Sequence, residues 1–147
     1  MPTHPVIILI DDDDDDIEMM SQAFHELGVN FISFQSGEEA VLHVNLFLSQ
    51  QPSLVVLDYN LPARNGMEIL SQFKNKQGTK EIPVIMYSTS LSLMLQKKLI
   101  EKGAYACIIK PFIFAQVMDH AKIFARLAGE FSKNRYLSKP EAIESFI

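Results

Sequence analysis

VIILIDDDDDD, residues 6–16, sets five consecutive apolar residues directly against six aspartates. A strand with one wet face alternates apolar and polar side chains, so an unbroken apolar run of this length reads as a strand covered on both faces. LVVL at 54–57 and CIIK at 107–110 have the same character. Strands of that kind belong to parallel sheets with helices on either side, so this pattern decides the fold class. The acidic run then has a position: it begins where the first strand ends.

Reading outward from the first strand, apolar runs fall at 6–10, 30–34, 54–57, 84–87 and 106–109, each followed by a segment of helical period. Ile17, Met20, Phe24 and Leu27 recur at spacings of three and four, and Gly28 supplies a helix stop. Ser36 with Glu39 has the spacing of a capping box before Ala40, Val41, Val44 and Leu48. Ile69, Leu70 and Phe73 give a third stripe, and Leu95, Leu99 and Ile100 a fourth that Gly103 closes. Phe114, Val117, Met118, Ala121 and Phe124 give the fifth. Five alternations of strand and helix predict a doubly wound α/β sandwich. The domain is expected to span 5–128. Residues 129–147 are expected to form a tail, with at most one short helix after Pro140.

Composition narrows the function classes. With 147 residues, 48% of them hydrophobic, the chain suits one domain with a continuous core. Its one cysteine, Cys107, excludes an internal disulfide and a cysteine-based zinc site, which favours a reducing, cytoplasmic setting. A net charge of -5 and the absence of a basic stripe argue against nucleic-acid binding. No apolar stretch reaches the ~18 residues of a membrane span, so no membrane partner is expected.

In doubly wound folds the ligand site lies outside the carboxyl ends of the strands. There the sequence puts Asp11 and Asp12 after strand one, Asp58 after strand three, Ser88 at the end of strand four and Lys110 after strand five. Three clustered carboxylates repel one another unless a cation lies among them, and oxygen ligands with open positions suit Mg²⁺. With Lys110 and Ser88 as donors, such a site can stabilise a transferring phosphoryl group, and a carboxylate there can act as its nucleophile.

An acidic pair after strand one, DYNLP at 58–62 with Gly66 eight residues after Asp58, a hydroxyl ending strand four and KPF at 110–112 together resemble the receiver domain of two-component response regulators. The resemblance covers residues 5–128. It implies a (βα)5 flavodoxin-like sandwich with strand order 2-1-3-4-5. It further implies that Asp58 is the phosphoacceptor and that Asp12 ligates Mg²⁺ directly while Asp11 acts mostly through water. Asn60 would add its backbone carbonyl, Ser88 and Lys110 would contact the phosphoryl group, and the Lys110–Pro111 bond would be cis. The implied donor is a histidine kinase or a histidine phosphotransfer protein. No metabolite is turned over; the protein would catalyse only its own phosphorylation and dephosphorylation. DDD-x-DD openings also occur in stand-alone receivers. With no effector domain expected after Leu127, output would pass by protein contact, including a homodimer through the face of helix four, strand five and helix five.

One position departs from the family. An aromatic ring usually stands three residues before the lysine, where this chain has Cys107. The switch that such a ring reports would then need another route, and Tyr105 is the nearby aromatic if the strand is regular there. A small buried residue is the plainer reading of Cys107. Two other functions compete: a Mg²⁺-dependent phosphatase resembling the haloacid dehalogenase group, which would need a cap over its site, and a pseudo-receiver that only binds. The four histidines show no metal spacing and are given no role.

Overall fold

The structure is a computed structural model that describes residues 5–46 and 52–133. Its strands are β1 (Val6–Ile10), β2 (Asn30–Phe34), β3 (Leu54–Leu57), β4 (Val84–Ser88) and β5 (Ala106–Ile109). They alternate with α1 (Asp14–Leu27), α2 (Gly37–Leu46), α3 (Gly66–Lys74), α4 (Leu93–Glu101) and α5 (Phe114–Lys133). All strand pairs are parallel, in the order β2-β1-β3-β4-β5. This is the doubly wound sandwich that the sequence pattern predicts, in the flavodoxin-like strand order that the resemblance implies.

The alternation of side chains along each strand divides the core in two. Ile7, Leu9, Leu54, Val56, Ile85, Tyr87, Ala106 and Ile108 face α1 and α5, packing with Met20, Phe24, Val117, Phe124 and Leu127. Ile8, Ile10, Val55, Leu57, Val84, Met86 and Cys107 face α2, α3 and α4, packing with Val41, Ile69, Phe73 and Leu99. The continuous apolar runs are thus the four strands sandwiched between helices. Strand β2, at one edge of the sheet, has mixed burial.

Helix ends follow local chemistry. Asp13 caps α1, its carboxylate accepting from the amides of Asp15 and Asp16, and Gly28 ends the helix in the left-handed conformation at φ 69°. Ser36 Oγ accepts from the Glu39 amide at 3.3 Å, as the capping spacing predicts.

Three expectations need correction. Helix α5 runs five residues beyond the predicted boundary at 128, because Leu127, Ala128 and Phe131 continue the buried stripe and Phe131 packs against Tyr105 at 5.1 Å. Ile100 is not core: of the fourth stripe only Leu99 is fully buried, Leu95 is partly so, and Ile100 lies 39% exposed. Tyr105 and Cys107 do not share a face, since residue 105 is a bend before β5 begins and its ring enters the α1/α5 side of the core. Leu48 and the segment after Pro140 fall outside the described residues. Among the described residues no helix is long and apolar enough to cross a membrane.

Candidate functional site

Strand register builds the site. Ile10 pairs with Leu57, so Asp11 and Asp58, each one residue further, leave adjacent strands side by side. The Asp58 amide donates to the Ile10 carbonyl at 2.9 Å and fixes that register. Ser88 pairs with Ile109, and the Lys110 amide donates to the Ser88 carbonyl at 2.9 Å, which brings Lys110 to the same rim. The order reverses between β1 and β3, and the acidic residues stand at that switch point.

Lys110 is the centre of the arrangement. Its Nζ donates to Asp11 Oδ2 at 2.5 Å, to Asp16 Oδ2 at 2.9 Å and to Asp58 Oδ2 at 3.1 Å. Asp11, Asp58, Ser88 and Lys110 are all buried. Burial works against the lysine charge, but Asp11, Asp16 and Asp58 outweigh it and hold the ammonium above the ordinary lysine range. Burial also pushes the Asp11 carboxyl up to about 6, with Lys110 opposing that rise and Asp58 adding to it.

Three of the four residues predicted to hold a metal come together. Asp11, Asp12 and Asp58 each offer a carboxylate oxygen within 4.8 Å of the others, and Asp12 is the exposed member. Of these three carboxylates Lys110 reaches Asp11 and Asp58 but is shared with Asp16, which leaves excess negative charge that a divalent cation would neutralise, so the donor set fits Mg²⁺. The Asn60 amide donates to Asp58 Oδ1 at 3.3 Å, and Asn60 Nδ2 reaches Ser88 Oγ at 3.4 Å. Of the hydroxyls at 88–90, Ser88 is buried at the strand end while Thr89 and Ser90 are not. Gly66 lets the start of α3 press on the loop after Asp58: a Cβ there would lie 2.6 Å from Tyr59 Cα and 2.7 Å from the Asp58 carbonyl oxygen.

The peptide bond at Pro111 corrects the family-based expectation. No cis bond occurs among the described residues. An X–Pro bond favours trans by about 0.5–1 kcal/mol, and Lys110 reaches three carboxylates with the trans form. Cys107 is buried, its Sγ 3.9 Å from the Gln96 carbonyl oxygen, and burial pushes its thiol up to about 11.

Two contributors were missed in the sequence. Asp16, which the sequence reading does not single out from the aspartate run, reaches Lys110. Extending the stripe Met20–Phe24 back by four residues lands on Asp16, so helical period carried the signal. His120 was given no role, but its Nδ1 lies 2.8 Å from the Tyr87 hydroxyl, one residue before Ser88. It sits three residues after Val117 and four before Phe124, on the flank of the buried stripe. Burial, then the charges of Asp16 and Asp11, raise the Tyr87 hydroxyl well above its usual range and keep it neutral.

The response regulator receiver domain family matches residues 7–122. This chain belongs to that family. The receiver is similar to the transcriptional regulatory protein MalR of Bacillus subtilis, with 30% identity over 88 residues that make 60% of this chain and 37% of MalR. It spans less than half the length of the curated relatives it matches. Its fold superposes on the phosphorylated cyanobacterial phytochrome response regulator RcpA with a TM-score of 0.76, at 24% identity, covering 92% of this chain and 98% of the other. A chain of the CheX–CheY–BeF3–Mg complex from Borrelia burgdorferi gives a TM-score of 0.71 at 28% identity, covering 83% and 90%.

Proposed function

We propose that this receiver is a stand-alone response regulator of a two-component system or phosphorelay, taking a phosphoryl group from a phosphohistidine onto Asp58 and signalling by protein contact. The observation that carries this reading is Lys110 bonded to both Asp58 and Asp11, with Asp12 completing a trio of carboxylates within 4.8 Å. An Asp58 oxygen attacks phosphorus, the bond to the donor's imidazole nitrogen breaks, and the electron pair stays with the ring. Asp11, Asp12, Asp58 and the Asn60 carbonyl would hold Mg²⁺, which when bound neutralises charge on the phosphoryl oxygens. Lys110 and Ser88 would donate to the remaining phosphoryl oxygens. The likeness to a complex formed with beryllofluoride and Mg²⁺ supports the same reading.

The chemistry ends on the protein itself, with no metabolite as substrate. A histidine kinase or histidine phosphotransfer protein is the donor. For output, α4 and the loop after β5 present Leu93, Met94, Phe112 and Ile113, all exposed, where a downstream protein or a second copy would bury them. Incubation with acetyl phosphate and Mg²⁺, followed by intact mass, tests the proposal. One phosphoryl group per chain is expected, with none after Asp58→Asn or with chelator. Turnover of free phosphate esters that survives Asp58→Asn would overturn the reading in favour of a phosphatase.

A further inference from the structure

An ammonium group has three protons, and every one of the Lys110 protons is taken. The partners come from three elements: Asp11 follows β1, Asp58 follows β3, and Asp16 lies in the first turn of α1. The bond to Asp16 is shorter than the bond to Asp58, 2.9 Å against 3.1 Å. Of the three carboxylates, Asp16 is the least enclosed, its side chain 29% exposed against 4% for Asp11 and 7% for Asp58. A phosphoryl oxygen arriving at Asp58 finds no donor free on Lys110 until one of these bonds is exchanged. The carboxylate of Asp16 adds a negative charge beside the ammonium and so weakens its pull on an incoming anion.

We propose that Asp16 is a positioning residue that restrains Lys110 toward α1 and thereby slows phosphoryl transfer to Asp58. The inference rests on Asp58 being the phosphoacceptor. Asp16 touches neither the donor nor the acceptor and is placed outside the metal trio, so its effect passes through the lysine. The backbone role of the aspartate run is separate: Asp13 caps α1 with its own carboxylate, and Asp16 offers that cap only its amide. Replacing the Asp16 side chain therefore leaves the cap in place.

The test compares native protein with Asp16→Asn and Asp16→Ser in phosphorylation by acetyl phosphate, at saturating and at limiting Mg²⁺. The expected result is a maximal rate about fivefold higher in both variants, the size of one partly exposed ion pair, with the Mg²⁺ concentration for half-maximal rate unchanged. Asp16→Glu keeps the charge and is expected to stay closer to the native rate than Asp16→Asn does. Equal or lower maximal rates in both variants, with native melting temperatures, would overturn the inference, as would a rate change accompanied by an equal change in Mg²⁺ dependence. If native protein takes no phosphoryl group at all, the failure belongs to the assignment of Asp58 and not to Asp16.

Discussion

Helices α1 and α5 on one face of the sheet and α4 on the other are attached to it in different ways. On one side α1 and α5 bury Met20, Ala23, Phe24, Val117, Ala121, Phe124, Leu127, Ala128 and Phe131, and aromatic rings meet edge to face, Tyr87 on Phe124 at 5.2 Å and Tyr105 on Phe131 at 5.1 Å. On the other side α4 has Leu99 as its one fully buried residue and shows Leu93, Met94 and Ile100 to solvent. Where α4 meets β5 the polar contact is the long one between Cys107 and the Gln96 carbonyl. Local opening is easiest where buried apolar contact is least, so the α1/α5 layer anchors the site and α4 is the element free to respond to it.

The strongest challenge to that contrast is Phe124→Ala. A fully buried ring on the anchoring side is removed, and denaturant unfolding is expected to show a loss of about 3–5 kcal/mol. A loss below about 1 kcal/mol would mean that the α1/α5 layer is not the anchor.

Alkaline pH probes the other layer. The folded Cys107 thiol titrates near 11, above its ordinary value of 9.0, so the folded state binds that proton more tightly than the unfolded chain. The stability this provides is complete below pH 9 and is lost as pH rises toward 11. The difference between native and Cys107→Ala proteins should shrink or reverse over that window by on the order of 2–3 kcal/mol. A difference independent of pH would show the thiol to be solvated, and α4 looser than drawn.

Ser92 accepts from the Leu95 amide at 3.1 Å and caps α4. Ser92→Ala should cost about 1 kcal/mol, seen in hydrogen exchange as faster opening of α4 amides with α5 unchanged. Equal acceleration in α5 would make the two layers one cooperative unit. The smallest effect is expected at Tyr105, whose buried hydroxyl has no hydrogen-bond partner among the described residues. Tyr105→Phe should raise stability by up to about 1 kcal/mol in thermal unfolding, and a loss instead would reveal a partner for that hydroxyl.

The sheet and most of its rim were legible because both rest on short-range rules. Apolar runs report strands with two covered faces, and the residue after each run reports the rim. What stayed hidden depends on where helices sit once packed. Ile100 fits the period of α4 but faces outward, because α4 is short and meets the sheet over a narrow stripe. The end of α5 was lost because the stretch from Gly129 has mixed charge and no long periodic face, although Phe131 within it finds Tyr105 across the core. Asp16 did not stand out from its run, since six identical residues give no internal contrast. The trans bond at Pro111 follows no pattern in the residues themselves; the family resemblance suggested otherwise.

A run of identical residues tolerates being misread but not miscounted. The first strand ends at Ile10 and the first buried residue of α1 is Met20, so the aspartates act as a ruler between sheet and helix. Removing one leaves a sequence that still looks acidic. The helix behind it, however, turns by about 100° relative to the strand, carrying Met20 and Phe24 off the core and putting Ile17 where Asp16 meets Lys110. Length, more than acidity, is what this stretch cannot vary, and insertions or deletions within it should be far more damaging than most exchanges of a single aspartate.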